Sequence, residues 1–307
     1  MHITRFNIYA LLATLATALL MMGPVHAGET CGCDIAPAQV RTYDAALVSA
    51  DINGAGREHA PWGVAVAVSP QSGFLYLSQN HWLTGYDPVR RLPLWVAYRL
   101  TARDLSARRK RTQCFRPDPR LDTGPGGTSC ASYRGDGLDR GHMVASADMT
   151  RSEQAMVNTY VFSNIAHQHP GFNRTVWRDL ETRVRAMARL RGEIYVMTGA
   201  IFDADHDGLP DPASMAAYPP AGAGKKADVP KAAVATHFYK IVFVPGQGAT
   251  PPEIRAWLLR HENIRTSRAQ SKRMLAASEV PLDIIEDLSG LDIAPLLNDV
   301  RLVRVAD

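Results

Sequence analysis

Beyond its N-terminal residues, the sequence lacks any apolar run of the roughly 18 residues that a transmembrane helix needs. The one long apolar stretch lies within residues 1–27, between Arg5 and the small-residue pattern Val25-His26-Ala27. A basic start, a short apolar run and small residues at a cleavage point are typical of a secretory signal peptide. We therefore predict a signal peptide over residues 1–27, a secreted or periplasmic protein, and no stable membrane association after signal cleavage.

The sequence also lacks a strong charge of either sign, with 34 basic and 30 acidic residues. This balance does not by itself indicate a nucleic-acid partner, because a basic surface matters only where it is local. Basic residues do cluster in the middle of the chain: Arg108, Arg109, Lys110, Arg111, Arg116, Arg120, Arg134 and Arg140. The cluster alone fits a solvated basic loop and a phosphate-facing surface equally well.

Cysteine is scarce, and the four residues present allow three pairings. A Cys31–Cys33 bond would close a tight, strained ring, so these two can instead reach another part of the chain. A Cys114–Cys130 bond would close a loop of about 17 residues and contribute roughly 3 kcal/mol in the chain-entropy model. Structural zinc is disfavoured, because Cys31-Gly32-Cys33 has no partner cysteines at finger-like spacing.

The rest of the chain reads as an irregular lead-in over residues 28–59 and one domain over residues 60–307. Apolar, β-prone runs bounded by turn residues predict strands at 62–68, 73–77, 94–100, 193–198 and 237–244. Helical patterns occur near 173–190 and 280–297. Strands and helices do not alternate regularly, which disfavours a Rossmann sheet. We predict an α+β fold with a central antiparallel β-sheet flanked by helices.

An aspartate-rich segment interrupts the second half of the domain. Asp203, Asp205 and Asp207 alternate ahead of Gly208, as carboxylates do in calcium-binding loops. The twelfth position of such a loop holds Ser214 instead of glutamate. A solvated Asp/Gly turn and a weak structural Ca²⁺ site both remain open, and neither is expected to take part in catalysis.

The helix that begins near Asn173 carries polar residues on an apolar face. Asn173, Trp177, Leu180, Glu181 and Val184 are spaced by three or four residues, so they share one face. Polar groups on such a face need partners. Helix capping by Asn173 and a salt bridge of Glu181 are the structural explanation, and a reaction centre is the functional one.

The segment Asp139–His142 places an arginine and a histidine two residues apart. In an extended segment, Arg140 and His142 point to the same face, and Gly141 leaves room for a substrate. A neutral histidine can take a proton from water. An arginine can bind a phosphate oxygen and stabilise its growing charge. A structural histidine is the alternative for so short a pattern.

Together, these elements would suit cleavage of a phosphodiester, which needs an activated water, charge neutralisation on the phosphate and help for the leaving oxygen. Mg²⁺, or Mn²⁺ in its place, can supply the last two while it keeps several waters. The side-chain oxygen of Asn173 is a hard ligand suited to such an ion.

Several motifs together resemble the DNA/RNA non-specific endonuclease family, whose members carry a ββα-metal motif. DRGHMVASADM precedes SNIAHQHPGFNRTVWRDLE, with FRPDPR upstream and EIYVMTGAIF, THFYK and DIIEDLSGLDIAPLL downstream. The likeness covers roughly residues 60–300. It implies an Mg²⁺-dependent endonuclease that cleaves DNA and RNA with little sequence preference, and it leaves a homodimer open.

The resemblance also implies roles for individual residues. His142 would be the general base, Asn173 the metal ligand, and Glu181 the acid that binds metal-coordinated water. Arg140 would face the phosphate, and Asn164 would line the site. The residues expected to bind substrate are Arg111, Arg134 and Gln168.

Two other functions fit parts of the sequence. One is a non-catalytic nucleic-acid-binding or uptake protein on the same scaffold, against which the pair His142 and Asn173 argues. The other is a phosphodiesterase that acts on small nucleotides. Cleavage assays with long and short substrates, with and without a chelator, would separate these functions from an endonuclease.

Overall fold

A computed structural model describes residues 29–68, 74–107, 109–121, 127–203, 205, 231–246, 248 and 251–293. The predicted signal peptide over residues 1–27 and Asp207 of the predicted calcium loop lie outside these ranges. Within them, no helix is long and apolar enough to cross a membrane.

Two helices occupy the segment 28–59, for which the sequence predicted an irregular lead-in. Helix α1 spans Pro37–Val48, and helix α2 spans Ile52–His59. The carboxylate of Asp51 caps α2 by accepting hydrogen bonds from two backbone N–H groups of its first turn. The prediction was wrong because short helices owe most of their stability to capping and tertiary packing, which apolar periodicity does not reveal.

The predicted central antiparallel sheet is confirmed. A short outer pair, β1 (Val66–Ala67) and β11 (Leu291–Asp292), lies apart from it. The strands of the central sheet are β2 (Leu75–Ser78), β3 (Leu83–Asp87), β4 (Leu92–Thr101), β7 (Glu193–Ile201), β8 (His237–Val244), β9 (Glu253–Arg260) and β10 (Glu279–Val280). They follow the order β10-β9-β8-β7-β4-β3-β2, and neighbouring strands are antiparallel.

Helices cover both faces of this sheet. Further helices are α3 (Glu153–Asn158), α4 (Pro170–Phe172), α5 (Arg178–Arg191), α6 (Arg268–Ala277) and α7 (Leu282–Ser289). Successive side chains of a strand point to opposite faces, and in β4 Val96 packs in the cluster that includes α5, whereas Trp95 packs with α2 and α7. The buried strands therefore read as continuous apolar runs, and the flanking helices complete the α+β fold.

A separate strand pair and a helix carry most of the predicted site residues. Strand β5 (Asp139–His142) pairs antiparallel with β6 (Ile165–Gln168). From β6 the chain continues through α4 and a π-helical turn, Asn173–Trp177, into α5. Two paired strands are thus followed along the chain by a helix, which is the arrangement that the resemblance to ββα-metal proteins implies.

Two disulfides join the N-terminal segment to the middle of the chain. Cys31 bonds Cys130, and Cys33 bonds Cys114. The expectation that Cys31 and Cys33 reach another part of the chain is confirmed, whereas the Cys114–Cys130 bond weighed from the sequence is wrong. The observed bonds span 99 and 81 residues, so they restrict the unfolded chain more than a short local loop would.

Candidate active site

The helix that carries Asn173 and Glu181 is not regular. With 3.6 residues per turn, an unbroken α-helix would leave these two side chains roughly 80° apart around its axis. The π turn Asn173–Trp177 contains more residues per turn and so reduces that offset. Leu180 and Val184 are fully buried, whereas Asn173 and Glu181 are half-buried. The π turn therefore supports the shared face that the spacing predicted.

Strand β5 orients the amide of Asn173. Asn173 Nδ2 donates a hydrogen bond of 2.9 Å to Asp139 Oδ2, and Arg174 donates to the same carboxylate. Burial would raise the pKa of Asp139, but the bonds from Arg174 and Asn173 bring it below its ordinary value, so Asp139 is ionised at neutral pH. Because Nδ2 is committed to Asp139, Oδ1 is the atom of Asn173 that can bind a metal ion.

His142, at the end of β5, is half-buried between aromatic rings. Its ring centre lies 4.6 Å from that of Tyr160 and 5.8 Å from that of Phe115. Burial lowers the pKa of His142 to about 3, and the charge of Arg111 adds to the shift, so the ring is neutral at pH 7. Nε2 is buried without a hydrogen-bond partner among the described residues, which leaves Nδ1 as the nitrogen able to accept a proton from solvent.

Arg140 lies next to His142 on the same side of β5. Its guanidinium carbon lies 4.8 Å from the centre of the Phe115 ring, at a cation–π distance. Arg140 Nη1 also donates a hydrogen bond of 3.3 Å to the backbone oxygen of Cys31. The predicted phosphate-binding arginine and the predicted base thus contact one aromatic ring.

Arg111 links the two halves of the site. Its Nε donates a hydrogen bond of 2.7 Å to the hydroxyl of Tyr160, whose ring packs against His142. The charge of Arg111 lowers the pKa of both His142 and Glu181. Arg111 is exposed to solvent and can therefore reach a bound phosphate, as expected for a substrate-binding residue.

Burial and nearby charged groups set the pKa of Glu181. Burial raises the pKa of Glu181 to about 7, Lys240 opposes the rise, and Asp148 adds to it. Lys240 is buried on β8, where its Nζ donates to Thr198 Oγ1 and lies 4.9 Å from the centre of the Trp177 ring. The site carboxylate is therefore held in a poorly solvated place, which is typical of functional sites.

Asp148 anchors this environment to the helix and to the sheet. It accepts hydrogen bonds from the hydroxyl of Tyr98 at 2.6 Å and from Arg185 Nη1 at 2.9 Å. Tyr98 belongs to β4, and Arg185 lies one turn after Glu181 on α5. These bonds fix Asp148 and Arg185, whose charges act on Glu181 in opposite directions.

Glu181→Gln is expected to stabilise the fold at alkaline pH. Because the folded pKa of about 7 exceeds the ordinary value of 4.5, folded Glu181 binds more protons than unfolded Glu181, and stability falls as pH rises between these values. In EDTA, the glutamine variant should gain about 1–3 kcal/mol of unfolding free energy near pH 8 and almost nothing near pH 4. Urea unfolding at both pH values measures this, and equal gains at both would contradict the raised pKa.

Family membership follows from comparison with known sequences. The sequence model of the DNA/RNA non-specific endonuclease family matches residues 66–300. The chain belongs to this family. Human mitochondrial endonuclease G is 32% identical over 223 residues, which cover 71% of this chain and 69% of that protein. Nuclease C1 of Cunninghamella echinulata var. echinulata is 32% identical over 221 residues, which cover 70% of this chain and 81% of that protein.

A solved structure shares the fold of this non-specific endonuclease. A chain of the EndoG/EndoGI complex aligns with a TM-score of 0.63 and 23% sequence identity, over 83% of this chain and 96% of that chain. The alignment confirms the α+β fold. Membership of the family makes the chain a nuclease, a hydrolase that acts on nucleic acid, and implies that it uses a divalent metal ion.

The relatives contradict the predicted secreted or periplasmic location. Endonuclease G of Homo sapiens and the nucleases of Schizosaccharomyces pombe and Saccharomyces cerevisiae that match this chain are mitochondrial by name. The prediction relied on a basic start and a short apolar run. Such a compositional pattern does not by itself determine the compartment, because different targeting segments share parts of it.

Asn164 holds the chain that leaves strand β5 of this endonuclease. It is fully buried. Its Oδ1 accepts from the N–H of Val144 at 2.9 Å, and its Nδ2 donates to the backbone oxygens of Val144 and Thr159 at 3.0 and 2.8 Å. The amide thus joins the segment that follows β5 to the end of α3, and its role in lining the site stays a prediction.

Gln168 and Arg134, both predicted to bind substrate, lie in different environments. Gln168 is fully buried, and a Cβ atom at Gly141 would lie 2.2 Å from its Oε1. Gly141 therefore makes room for Gln168 and not, as predicted, for the substrate. Arg134 is exposed, and its charge contributes to a lowered pKa of Arg140, after the larger effect of burial, so Arg134 extends the basic surface beside Arg140.

Several groups that shape the site were not identified from the sequence. Asp139 precedes Arg140 in the motif, so its position in the strand was a usable signal. Phe115 and Tyr160 gave no such signal, because they contact His142 only after distant segments pack together. The same holds for Lys240, which reaches the site from a strand of the central sheet.

Proposed function

We propose that this endonuclease hydrolyses phosphodiester bonds of DNA and RNA with Mg²⁺ as its metal ion and His142 as its general base, and with little sequence preference. The observation that carries the proposal is the placement of His142 beside Arg140 on β5 and against Tyr160, whose hydroxyl accepts a hydrogen bond from the exposed Arg111. A base and a phosphate-binding cation at one place match what attack of water on a phosphate requires.

Asn173 fits a metal ion because Asp139 engages its amide nitrogen, whereas its oxygen has no hydrogen-bond partner in the part of the chain that the structure describes. Oδ1 of Asn173 would hold the ion, and Mg²⁺ is suited to such a site because it retains several waters. The ion would neutralise charge on the phosphate and on the leaving oxygen, and Mn²⁺ could take its place. Among the described residues, no group of three or more His, Cys, Asp or Glu side chains could hold a metal ion.

The remaining steps belong to the protein side chains. Nδ1 of His142 removes a proton from the attacking water. Arg140 and Arg111 bind phosphate oxygens, where their charges stabilise the transition state. Ionised Glu181 accepts hydrogen bonds from water in the site and so orients it.

Substrate binding would occur mainly through phosphates, with Arg134 extending the basic surface and Gln168 supporting strand β5. Affinity should therefore fall steeply with salt and depend little on sequence. Assembly into a homodimer remains a prediction. So does the weak calcium site at Asp203 and Asp205, since Asp207 lies outside the described residues.

A metal series with plasmid DNA and with RNA tests the proposed function. The oxidised protein is expected to convert supercoiled plasmid to nicked and linear forms and to degrade RNA in Mg²⁺ or Mn²⁺, and to do neither in EDTA. Binding without cleavage in Mg²⁺ would favour a non-catalytic nucleic-acid-binding protein. Hydrolysis of a dinucleotide or of bis-p-nitrophenyl phosphate, with intact plasmid, would favour a phosphodiesterase for small nucleotides.

A further inference from the structure

The N-terminal segment Glu29–Asp34, here called the clasp, lies against the active site although it precedes the residues matched by the family. The family match begins at residue 66. The clasp is nevertheless in direct contact with Arg140, through the 3.3 Å hydrogen bond from Nη1 to the backbone oxygen of Cys31. A segment outside the family match therefore touches the predicted phosphate-binding arginine.

Backbone hydrogen bonds align the clasp with the strand-like segment that contains Phe115. The N–H of Cys31 donates to the backbone oxygen of Phe115 at 2.7 Å, and the N–H of Asp34 donates to that of Gln113 at 2.8 Å. The carboxylate of Asp34 accepts in return from the N–H of Gln113 at 3.0 Å. These bonds set the clasp antiparallel to the segment, with Cys33 opposite Cys114.

The two disulfides fasten the clasp at both of its sides. Cys33–Cys114 joins it to the segment of Phe115, and Cys31–Cys130 joins it to the turn that precedes β5. The carboxylate of Glu29 also accepts a hydrogen bond of 3.1 Å from the N–H of Cys130. The oxygen of Cys31 is thus held by the disulfide of its own residue, by the backbone bonds of Cys31 and Asp34, and by the side-chain bond of Glu29.

Arg140 lies between two groups that the clasp positions. Its guanidinium lies over the ring of Phe115 and donates to the oxygen of Cys31. An arginine side chain has several rotatable bonds, and holding it in one geometry before substrate binds avoids an entropy loss during the reaction. The guanidinium retains further N–H donors for a phosphate.

We propose that the clasp is a positioning element for Arg140. The Cys31–Cys130 disulfide places the Cys31 oxygen, and this oxygen and the ring of Phe115 together hold the guanidinium toward the phosphate. This inference rests on the proposed function. Arg140 is the group that contacts substrate, and Cys31 acts through it. The second disulfide, Cys33–Cys114, fastens the clasp but does not touch Arg140.

The two disulfides provide a matched pair of variants. One variant carries Cys31→Ser and Cys130→Ser, and the control carries Cys33→Ser and Cys114→Ser. The loops that they open span 99 and 81 residues, so the two bonds restrict the unfolded chain to a similar extent. Each variant is made with and without Arg140→Ala, and each is assayed for kcat and KM on plasmid, for duplex DNA affinity in EDTA, and for Tm.

Loss of Cys31–Cys130 is expected to lower kcat by about 10–100-fold at temperatures far below Tm, since small misplacements of a catalytic group have effects of this size. In the Arg140→Ala background, removal of the Cys31–Cys130 disulfide should lower kcat by less than about threefold, because the effects of changes at coupled residues do not add. Loss of Cys33–Cys114 should lower Tm comparably, with a smaller decrease in kcat and weaker coupling to Arg140.

The proposal is overturned if the Cys31–Cys130 variant folds and retains the wild-type kcat. It is also overturned if the decrease in kcat that this variant causes adds fully to the decrease caused by Arg140→Ala. If this variant does not fold, Phe115→Leu enters the same cycle, since it keeps both disulfides and removes the ring under the guanidinium. Full additivity of Phe115→Leu with Arg140→Ala would then overturn the proposal. Failure of the wild-type protein to cleave plasmid in Mg²⁺ would instead contradict the proposed function, and the affinities in EDTA would still report the coupling.

Discussion

His142→Ala is expected to lower kcat on plasmid DNA by about 10²–10⁴-fold, the usual contribution of a general base. The imidazole is neutral at pH 7, because burial lowers its pKa to about 3, so nearly all molecules carry the base form. Alanine has no group that can take the proton from water. The loss should therefore appear in kcat, with a smaller change in KM, because binding depends mainly on phosphate contacts.

The same pKa predicts where activity should depend on pH. His142 remains unprotonated throughout the range from about pH 5 to 8, so it should not cause an acid-side decline there. Burial raises the pKa of Glu181 to about 7 in the metal-free protein, and a bound cation would lower it, so any decline that Glu181 causes is expected below pH 7. Rate profiles of wild type and Glu181→Gln between about pH 5 and 8 check this assignment, and a decline that persists unchanged in the glutamine variant would argue against it.

His59 offers a matched control for His142. Its pKa is likewise lowered by burial, to about 4, but its Nε2 lies 3.4 Å from the backbone oxygen of Asn80, in the packing between α2 and the sheet. His59→Gln should lower Tm and leave kcat unchanged well below Tm. Comparable kcat losses in both variants would mean that His142 is structural, and retained activity in His142→Ala would remove it from the mechanism.

Asn173→Ala should have the second large effect, a loss of more than about 100-fold in kcat/KM at fixed Mg²⁺. Removal of a partner of a metal ligand typically lowers metal affinity or activity by about 10–100-fold, and loss of the ligand itself should exceed this. The Mg²⁺ concentration for half-maximal rate should also rise. A titration of activity against Mg²⁺ measures both quantities.

Asp139→Asn provides a graded comparison with Asn173→Ala. It keeps the size of the side chain and an oxygen acceptor, but it removes the charge that orients the Asn173 amide and binds Arg174. A loss of about 10–100-fold is expected, intermediate between wild type and Asn173→Ala. If neither variant changes the Mg²⁺ requirement, Asn173 does not bind the metal ion.

Local patterns were sufficient to predict much of the fold and part of the site. Continuous apolar runs indicated the buried strands, because strands covered on both faces need apolar residues at every position. Spacing placed Arg140 and His142 on one face of a strand and put Glu181 on the face of Asn173. The order of the motifs from Arg140 to Glu181 was sufficient to indicate the family. The match of the family model over residues 66–300 confirms it.

The compartment and the N-terminal helices were not predictable in the same way. Composition indicated secretion, whereas relatives with mitochondrial names contradict it. Weak periodicity suggested an irregular lead-in, whereas capping by Asp51 and packing stabilise two helices. For the helices, the deciding interactions are capping and tertiary contacts, which lie outside the local pattern.

What the sequence by itself determined is therefore the list of chemical groups and their spacing along each strand and helix, because periodicity acts over a few residues. Only the tertiary structure decided how the groups are held: the π turn that aligns Asn173 with Glu181, the bond from Asp139, the aromatic rings around His142 and the cysteine pairing. These contacts join segments that are tens of residues apart, and the path of the folded chain, not local propensity, brings them together.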